Sequence, residues 1–357
     1  MSNQRLYLDI HAIQTLPPSN VNRDDSGSPK TAQYGGVQRA RVSSQAWKRA
    51  MRLYFDQHSG ASLGVRTKRV VDYVAEQIKA LDPLKDDQTA REMAASIIDG
   101  AGIKLDKDKK AKALFFLGRK QAEALAKAAL NGETDKKKLR ACLNDNPEVD
   151  IALFGRMVAD DPTLNEDASA QVAHAISTHA VQTEFDYYTA MDDLTPDDQA
   201  GAGMLSTIEY NSETLYRYAN VAVHELVHQL GSVDEAVQAL KLFVEAFSNA
   251  MPTGKINTFA NETLPQAIMI NVRTDRPVSL VSAYEKPVKS VNGYAEESVN
   301  RLFAELKKSA KFVTAPVLTL YITQTETENK PDGKEEESLK ALLDDLEQIK
   351  SLMPEEI

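Results

Sequence analysis

PSNVNRDDSGSPKTAQYGGVQRARVSSQAWKRAMR, residues Pro18 to Arg52, is the stretch from which the rest of the chain can be read. Pro18, Gly27, Pro29 and the Gly35-Gly36 pair mark a polar loop that feeds straight into a helix. Ser43 or Ser44 suits the N-cap, where a hydroxyl satisfies an otherwise unpaired amide of the first turn. Ala46, Trp47, Ala50, Met51 and Tyr54 recur at steps of three and four and predict a buried stripe. Gln45, Lys48, Arg49 and Arg52 then share the other face. Between Val37 and Arg52 lie five cations, Arg39, Arg41, Lys48, Arg49 and Arg52, and no acid. A solvated helix face also carries such residues. The Arg-x-Arg-x-Ser-Ser approach and the lack of any acid to pair with them point instead to phosphate oxygens, for which a helix N-terminus, hydroxyls, an amide and cations are suited.

Working outward, the 357-residue chain is acidic, with a formal net charge of −10. The charge is unevenly placed. From Thr325 to Ile357 there are four Lys and eleven Asp or Glu, so this tail alone is −7 and the preceding body only −3. Overall acidity therefore does not exclude a local site for a polyanion. Hydrophobic content of 42% and charged content of 26% describe a globular protein with no apolar run of membrane-spanning length, so no membrane partner is expected. The first residues, MSNQRLYLDIHAIQ, alternate like a strand rather than a signal peptide. Cys142 stands alone, which rules out an internal disulfide framework and a Cys-based zinc knuckle. The cytoplasm is the expected compartment.

Arg5 to Gln14 alternates Leu6, Leu8 and Ile10 against polar partners and predicts the first strand. From Val65 to Leu143 the pattern is helical throughout, in pieces at Val70–Leu81, Thr89–Ile98, Ala111–Leu130 and Lys136–Leu143, with nothing strand-like between them. The core resumes at Val149–Val158, followed by an expected helix over Glu166–Ala180. Between Tyr187 and Tyr216 no packed face can be drawn, so a long functional loop is expected there. Strand patterns at Tyr216–Val223, Gln266–Val272 and Val317–Ile322 alternate with helical ones at Asp234–Ala250 and Ser298–Lys308. Leu339, Leu342, Leu343, Leu346 and Ile349 predict a docked tail helix. The pattern as a whole predicts an α+β core with a helical insertion.

Six segments carry a family resemblance. NRDD at Asn22 and GGVQRARVSSQAWKRAMR at Gly35 resemble the CasC family, the repeating backbone subunit (RAMP superfamily) of the type I-E CRISPR Cascade complex. VDIALFGRM (Val149–Met157), AHAISTHAVQTEFDYYTAMDDL (Ala173–Leu194) and YRYANV (Tyr216–Val221) match in order, and PTGKINTFA (Pro252–Ala260) more weakly. The resemblance implies a ferredoxin-like palm, a modified RNA-recognition motif, with a helical fingers insertion and a protruding thumb loop. On this division residues 1–58 are the first part of the palm, 59–147 the fingers, 148–190 a palm/fingers junction, 191–215 the thumb, 216–324 the second part of the palm and 325–357 an acidic tail. It implies a non-enzymatic scaffold that binds the CRISPR guide RNA backbone and polymerises head to tail along it for antiviral defence. The partners would be guide RNA, copies of itself, other Cascade subunits and, through the guide, a target DNA strand; no cofactor would be needed. By position, Ser43, Gln45, Lys48 and Arg52, with Arg49, Arg23 and Lys255, would meet guide phosphates, while Met157, Tyr187 and Tyr188 would act as wedges at the thumb. The family pattern of Trp-Phe is here Tyr-Tyr, which keeps a π-face but shortens one wedge. The aromatic run of ordinary RNA-recognition motifs is absent, so stacking on the sheet is not expected.

Two constellations admit chemistry of another class. His224-Glu225-Leu226-Val227-His228 is an HExxH, extended by Gly231 and by Asp234 where a third zinc ligand would stand. Val221 and Val223 read as strand residues running into it, leaving only a helix start to present the ligands, and the flanking family segments assign it to the core. Asp24-Asp25 and the Asp192, Asp193, Asp197 and Asp198 cluster could hold a divalent ion for ribonuclease chemistry, though solvated loop acids read the same way. A zinc protease or a metal-dependent ribonuclease is therefore the alternative to the scaffold, which itself has no catalytic residue and no metal.

Overall fold

A computed structural model of the chain describes residues 5–58, 63–158, 161–190, 204–327 and 329–353. Strand β1 (Tyr7–Ser19) is the spine. It runs antiparallel to β9 (Met204–Ala222) on one side and to β10 (Ala267–Arg273) on the other, with Ile10 opposite Ala219 and Ile270. The strand is longer than expected. Its last residues include Pro17 and Pro18, and the register shifts between Leu16 and Ser19, so the prolines sit at an irregularity where a ladder amide is not required. The polar loop also contains structure: β2 (Thr31–Tyr34) and β3 (Val37–Val42) form a hairpin turning at Gly35 and Gly36, whose φ of 61° and 77° suit a two-residue primed turn.

Helix α1 (Ser44–His58) follows, capped by the Ser43 hydroxyl, which accepts from the Ala46 amide at 3.3 Å. Trp47, Ala50, Met51 and Phe55 form its buried side. Next comes a block with its own core: β4 (Val65–Thr67), α2 (Val70–Leu81), α3 (Asp87–Ala101), β5 (Phe115–Leu117), α4 (Arg119–Leu130) and α5 (Lys136–Asn144). The expected helices are there, but β4 and β5 pair as a two-stranded sheet, and Phe115–Leu117 is strand where helix was expected. Gly118 interrupts that run and caps α4.

Val149–Phe154 is a short helix, α6. The helix expected over Glu166–Ala180 does not form. That span supplies β6 (Ala170–Val172) and β7 (Ala175–Ser177), both paired with β9, so tertiary pairing overrides the helix propensity of its alanines. The long loop is likewise shorter than expected. β8 (Glu184–Ala190) pairs with the start of β9 from Glu184 opposite Tyr210 to Ala190 opposite Met204. Residues 191–203, most of the expected thumb, lie outside the described residues.

Helices α7 (Val223–Leu230), α8 (Val233–Asn249), α9 (Ile256–Phe259) and α10 (Ala295–Ser309) and strands β11 (Leu318–Thr323) and β12 (Lys334–Glu335) complete the body. The tail forms α11 (Leu339–Asp345) and α12 (Ile349–Leu352) around one 3-10 turn; Leu342, Leu346 and Ile349 are buried against the body, so the tail is docked. The sheet order is β12-β11-β10-β1-β9-β7-β3-β2, antiparallel except for β11–β12. Both faces are covered. Leu8, Ile10 and Ala12 pack toward α1, α7 and α8, while Ile13, Tyr216 and Tyr218 face Leu280, Tyr284 and α10. The polar partners in the alternation of β1 are therefore buried rather than exposed: Asp9 is bridged by Arg273 at 3.2 Å, and His11 meets the Tyr216 hydroxyl at 3.0 Å. Burial holds Asp9 up at about 6 and His11 down at about 3. The fold is mixed α+β, and among the described residues no helix is long and apolar enough to cross a membrane.

Candidate nucleic-acid interface

Helix α1 is held at its N-terminus by the loop before it. The Ser43 amide donates to Asn22 Oδ1 at 2.8 Å, and the Ser43 side chain is nearly buried in its capping role. Asp24 organises that loop: its Oδ1 accepts from the Ser26 amide (2.9 Å), the Ser26 hydroxyl (2.7 Å) and the Ser28 amide (3.0 Å). The Ser26 hydroxyl is the largest influence holding its carboxyl below the usual range. Asp24 is thus occupied as a turn former, Asp25 and Arg23 are exposed beside it, and the Asp192–Asp198 cluster lies outside the described residues.

The polar and charged residues of this region divide into three kinds. Gln45 and Arg49 are exposed, and Lys48 is half-buried with its ammonium 5.7 Å from the Phe154 ring centre, its pKa lowered by desolvation. Arg52 is engaged: Nε donates to Asp150 at 3.1 Å, Nη2 to the Gly64 carbonyl at 3.1 Å, and the guanidinium lies 4.4 Å from the Phe116 ring centre. Arg39 is fully buried and gives its protons to the carbonyls of Tyr34, Ser177 and Tyr284. The expectation that these five cations have no acid to pair with is corrected for Arg52, and Arg39 is not available to a ligand. Asp150 is ninety-eight positions away in sequence, and Arg39 is a core residue.

A cleft of about 140 Å³ runs along α1, lined by Ala46, Arg49 and Leu53 on the helix, by Val21, and by Pro252, Thr253 and Gly254. A Cβ on Gly254 would stand 2.2 Å from the Val21 carbonyl oxygen, so only glycine lets these two segments touch. Lys255 follows in a left-handed conformation (φ 52°) and is half-buried. The root of the β8–β9 hairpin reaches the same corner. Asn20 Nδ2 donates to the Glu209 carbonyl at 2.8 Å and the Gly27 carbonyl at 2.9 Å, and the Tyr210 and Phe259 rings lie 5.8 Å apart. Basic loop, α1, the 252–260 segment and the hairpin root are therefore brought together.

Tyr187 and Tyr188 stand on β8 and, as neighbours on a strand, face opposite ways: Tyr187 is 64% exposed and Tyr188 half-buried. Phe185, 65% exposed, shares the Tyr187 face; the signal that could have found it is the i, i+2 spacing in Glu-Phe-Asp-Tyr. Met157 is 82% exposed directly after the buried Arg156. Arg156 donates to the carbonyls of Leu164 and Leu143, both at 2.8 Å, fixing the chain just before the methionine.

The HExxH segment is helical from Val223, directly after β9 ends at Ala222, so the two histidines stand one turn apart at the start of a helix. His224 Nδ1 nevertheless lies 3.2 Å from the Leu6 amide, and Asp234 is paired with Lys350 at 2.7 Å. Among the described residues no three or more His, Cys, Asp or Glu are grouped to hold a metal ion.

With this geometry in hand, residues 8–348 match the family described as CT1975-like protein. A solved structure described as "CRISPR RNA-guided surveillance complex, pre-nicking" contains a chain 32% identical, superposing with a TM-score of 0.85 over 97% of this chain and 100% of that one. A second, described as "CRISPR RNA-guided surveillance complex", is 30% identical with a TM-score of 0.75, over 96% of this chain and 99% of the other. No curated protein matches the chain.

Proposed function

The chain belongs to the CT1975-like protein family of CasC-type CRISPR backbone subunits, and on that footing we propose that it is a non-enzymatic, cytoplasmic scaffold that binds the guide RNA backbone and repeats along it in a surveillance complex. The observation that carries this reading is the likeness along nearly the whole chain, 97% of it, to a subunit of an RNA-guided complex. In this reading residues 1–58, 148–190 and 216–324 build a ferredoxin-like palm with its fingers junction, 59–147 the fingers, 191–215 the thumb and 325–357 a docked tail. Ser43, Gln45, Lys48, Arg49, Arg23 and Lys255 line the guide's path, where phosphate contacts position RNA without reading its sequence. Arg52 acts there mainly by fixing α1 to Asp150. Met157, Tyr187 and Tyr188, joined by Phe185, interrupt base stacking where the thumb crosses the guide, leaving a nucleotide unpaired with target DNA at each crossing.

Two double variants test the division of labour. Lys48→Ala/Arg49→Ala should weaken binding alike for unrelated RNA sequences and flatten the dependence of log affinity on log salt by about 0.7 for each phosphate no longer neutralised. Tyr187→Ala/Tyr188→Ala should lose affinity by roughly 1–3 kcal/mol per stacked base with the slope unchanged. Identical salt slopes for both folded variants would refute the assignment.

A further inference from the structure

Behind α1 lies a charge that no acid among the described residues neutralises. Arg217 of β9 is almost completely buried, with its guanidinium 3.7 Å from the ring centre of Trp47 of α1 and 4.4 Å from that of Phe247 of α8. Its partners are neutral: Gln14 Oε1 and, at 2.6 Å, the Phe247 carbonyl. Among the described residues its Nε has no acceptor and no carboxylate pairs with it. Desolvation is the one influence on its pKa, lowering it to about 9, so the group is still a cation at neutral pH. The acid nearest along the same strand face is Glu213, four residues back, and burial pushes its carboxyl up to about 8, which keeps it uncharged. A buried cation without a counter-ion is costly, and neutral side chains of similar volume commonly replace such groups without loss.

We propose that Arg217 is an electrostatic positioning residue of the α1 interface, supplying through Trp47 a fixed positive potential whose counter-charge is the phosphate backbone docked on the outer face of the helix. This rests on the reading of α1 as the guide-binding face. The charge touches no phosphate, so it releases no counter-ion on binding. Because it acts through the interior it is also screened little by salt.

Affinity for a single-stranded RNA, measured by fluorescence anisotropy across a salt series, tests it with Arg217→Gln and Arg217→Lys, both checked for native unfolding transitions. The expected result is a loss of about tenfold for Arg217→Gln at every salt concentration, with the wild-type slope, and binding within about twofold of wild type for Arg217→Lys. Should the glutamine variant fail to fold, Arg217→Met, which fills the same space without charge, is read in its place with the same expected tenfold loss; a folded lysine variant tenfold weaker than wild type overturns the proposal. Wild-type affinity in a folded Arg217→Gln overturns it too. If the wild-type protein itself does not bind RNA, the reading of α1 fails rather than the role of Arg217.

Discussion

Glu213 shows how one residue can carry a pH dependence for the whole molecule. It is buried on β9 opposite Leu16, and burial raises its carboxyl from 4.5 to about 8. The unfolded chain releases this proton near 4.5, the folded one near 8. The acid's contribution is therefore fully favourable below pH 4.5 and is lost as pH rises toward 8. Keeping it protonated at pH 7 costs on the order of 3 kcal/mol. Glu213→Gln should raise the thermal midpoint at pH 7 and above, leave it nearly unchanged at pH 4, and flatten the stability profile between. Denaturation of both proteins across that range checks this; parallel profiles would contradict it. Nothing in the local sequence announces Glu213, because its burial comes from segments that meet it only in the fold. Lys48 and Arg49, by contrast, were legible from helical spacing alone. Arg52 was legible as a cation but not as one half of an ion pair, since Asp150 is brought to it by α6.

Among the elements, that ion pair is the joint between the basic helix and the helical block. Asp150 also accepts the Gly64 amide at 2.9 Å, so it fixes the chain leaving α1 toward β4. Arg52→Ala should destabilise the fold by about 3 kcal/mol, because it strands a buried carboxylate. Asp150→Asn with Arg52→Met should recover most of that loss; urea denaturation of the three proteins distinguishes this from a purely external role for Arg52, in which stability would not change. The β8–β9 hairpin is the second such element. It escaped sequence reading because its large apolar side chains are exposed rather than packed on a core, and its one clear alternation, Phe185 and Tyr187, is too short to mark a strand. β6 and β7 escaped because three-residue strands leave too short a pattern, and pairing with β9, and for β7 also with β3, makes them strands. Helices α2, α8 and α10, each with one buried stripe, were readable to within a few residues for the opposite reason. Replacing residues 187–207 with Asn-Gly keeps the root pairs Glu184–Tyr210 to Asp186–Ile208 and the Asn20 contact. The product should stay folded, bind RNA weakly and elute with it as a small particle in size exclusion. A particle as large as that of the intact protein would remove the hairpin from the account of assembly.

At the scale of the molecule, the central sheet explains why RNA recognition would leave the sheet surface. Its aromatic face, with Tyr216, Tyr218, Tyr321 and His11, is sealed: the Tyr216 hydroxyl accepts the Leu280 amide at 2.9 Å, and the Phe303 ring of α10 lies 5.5 Å from that of Tyr321. In the proposed reading a nucleic acid would instead meet the surface where α1, the basic loop and the hairpin root converge. One subunit presents only a short basic stretch there, and a head-to-tail contact that does not close would extend it along a guide until other subunits cap it. The measurement that bears most directly on this is the nucleic acid carried by the protein when purified from cells expressing a CRISPR array and the companion subunits. The account predicts a high ultraviolet absorbance ratio and, on a denaturing gel, RNA of one discrete length shielded from nuclease. Nucleic-acid-free protein in an otherwise intact complex, or bound RNA left unprotected along its length, would contradict it.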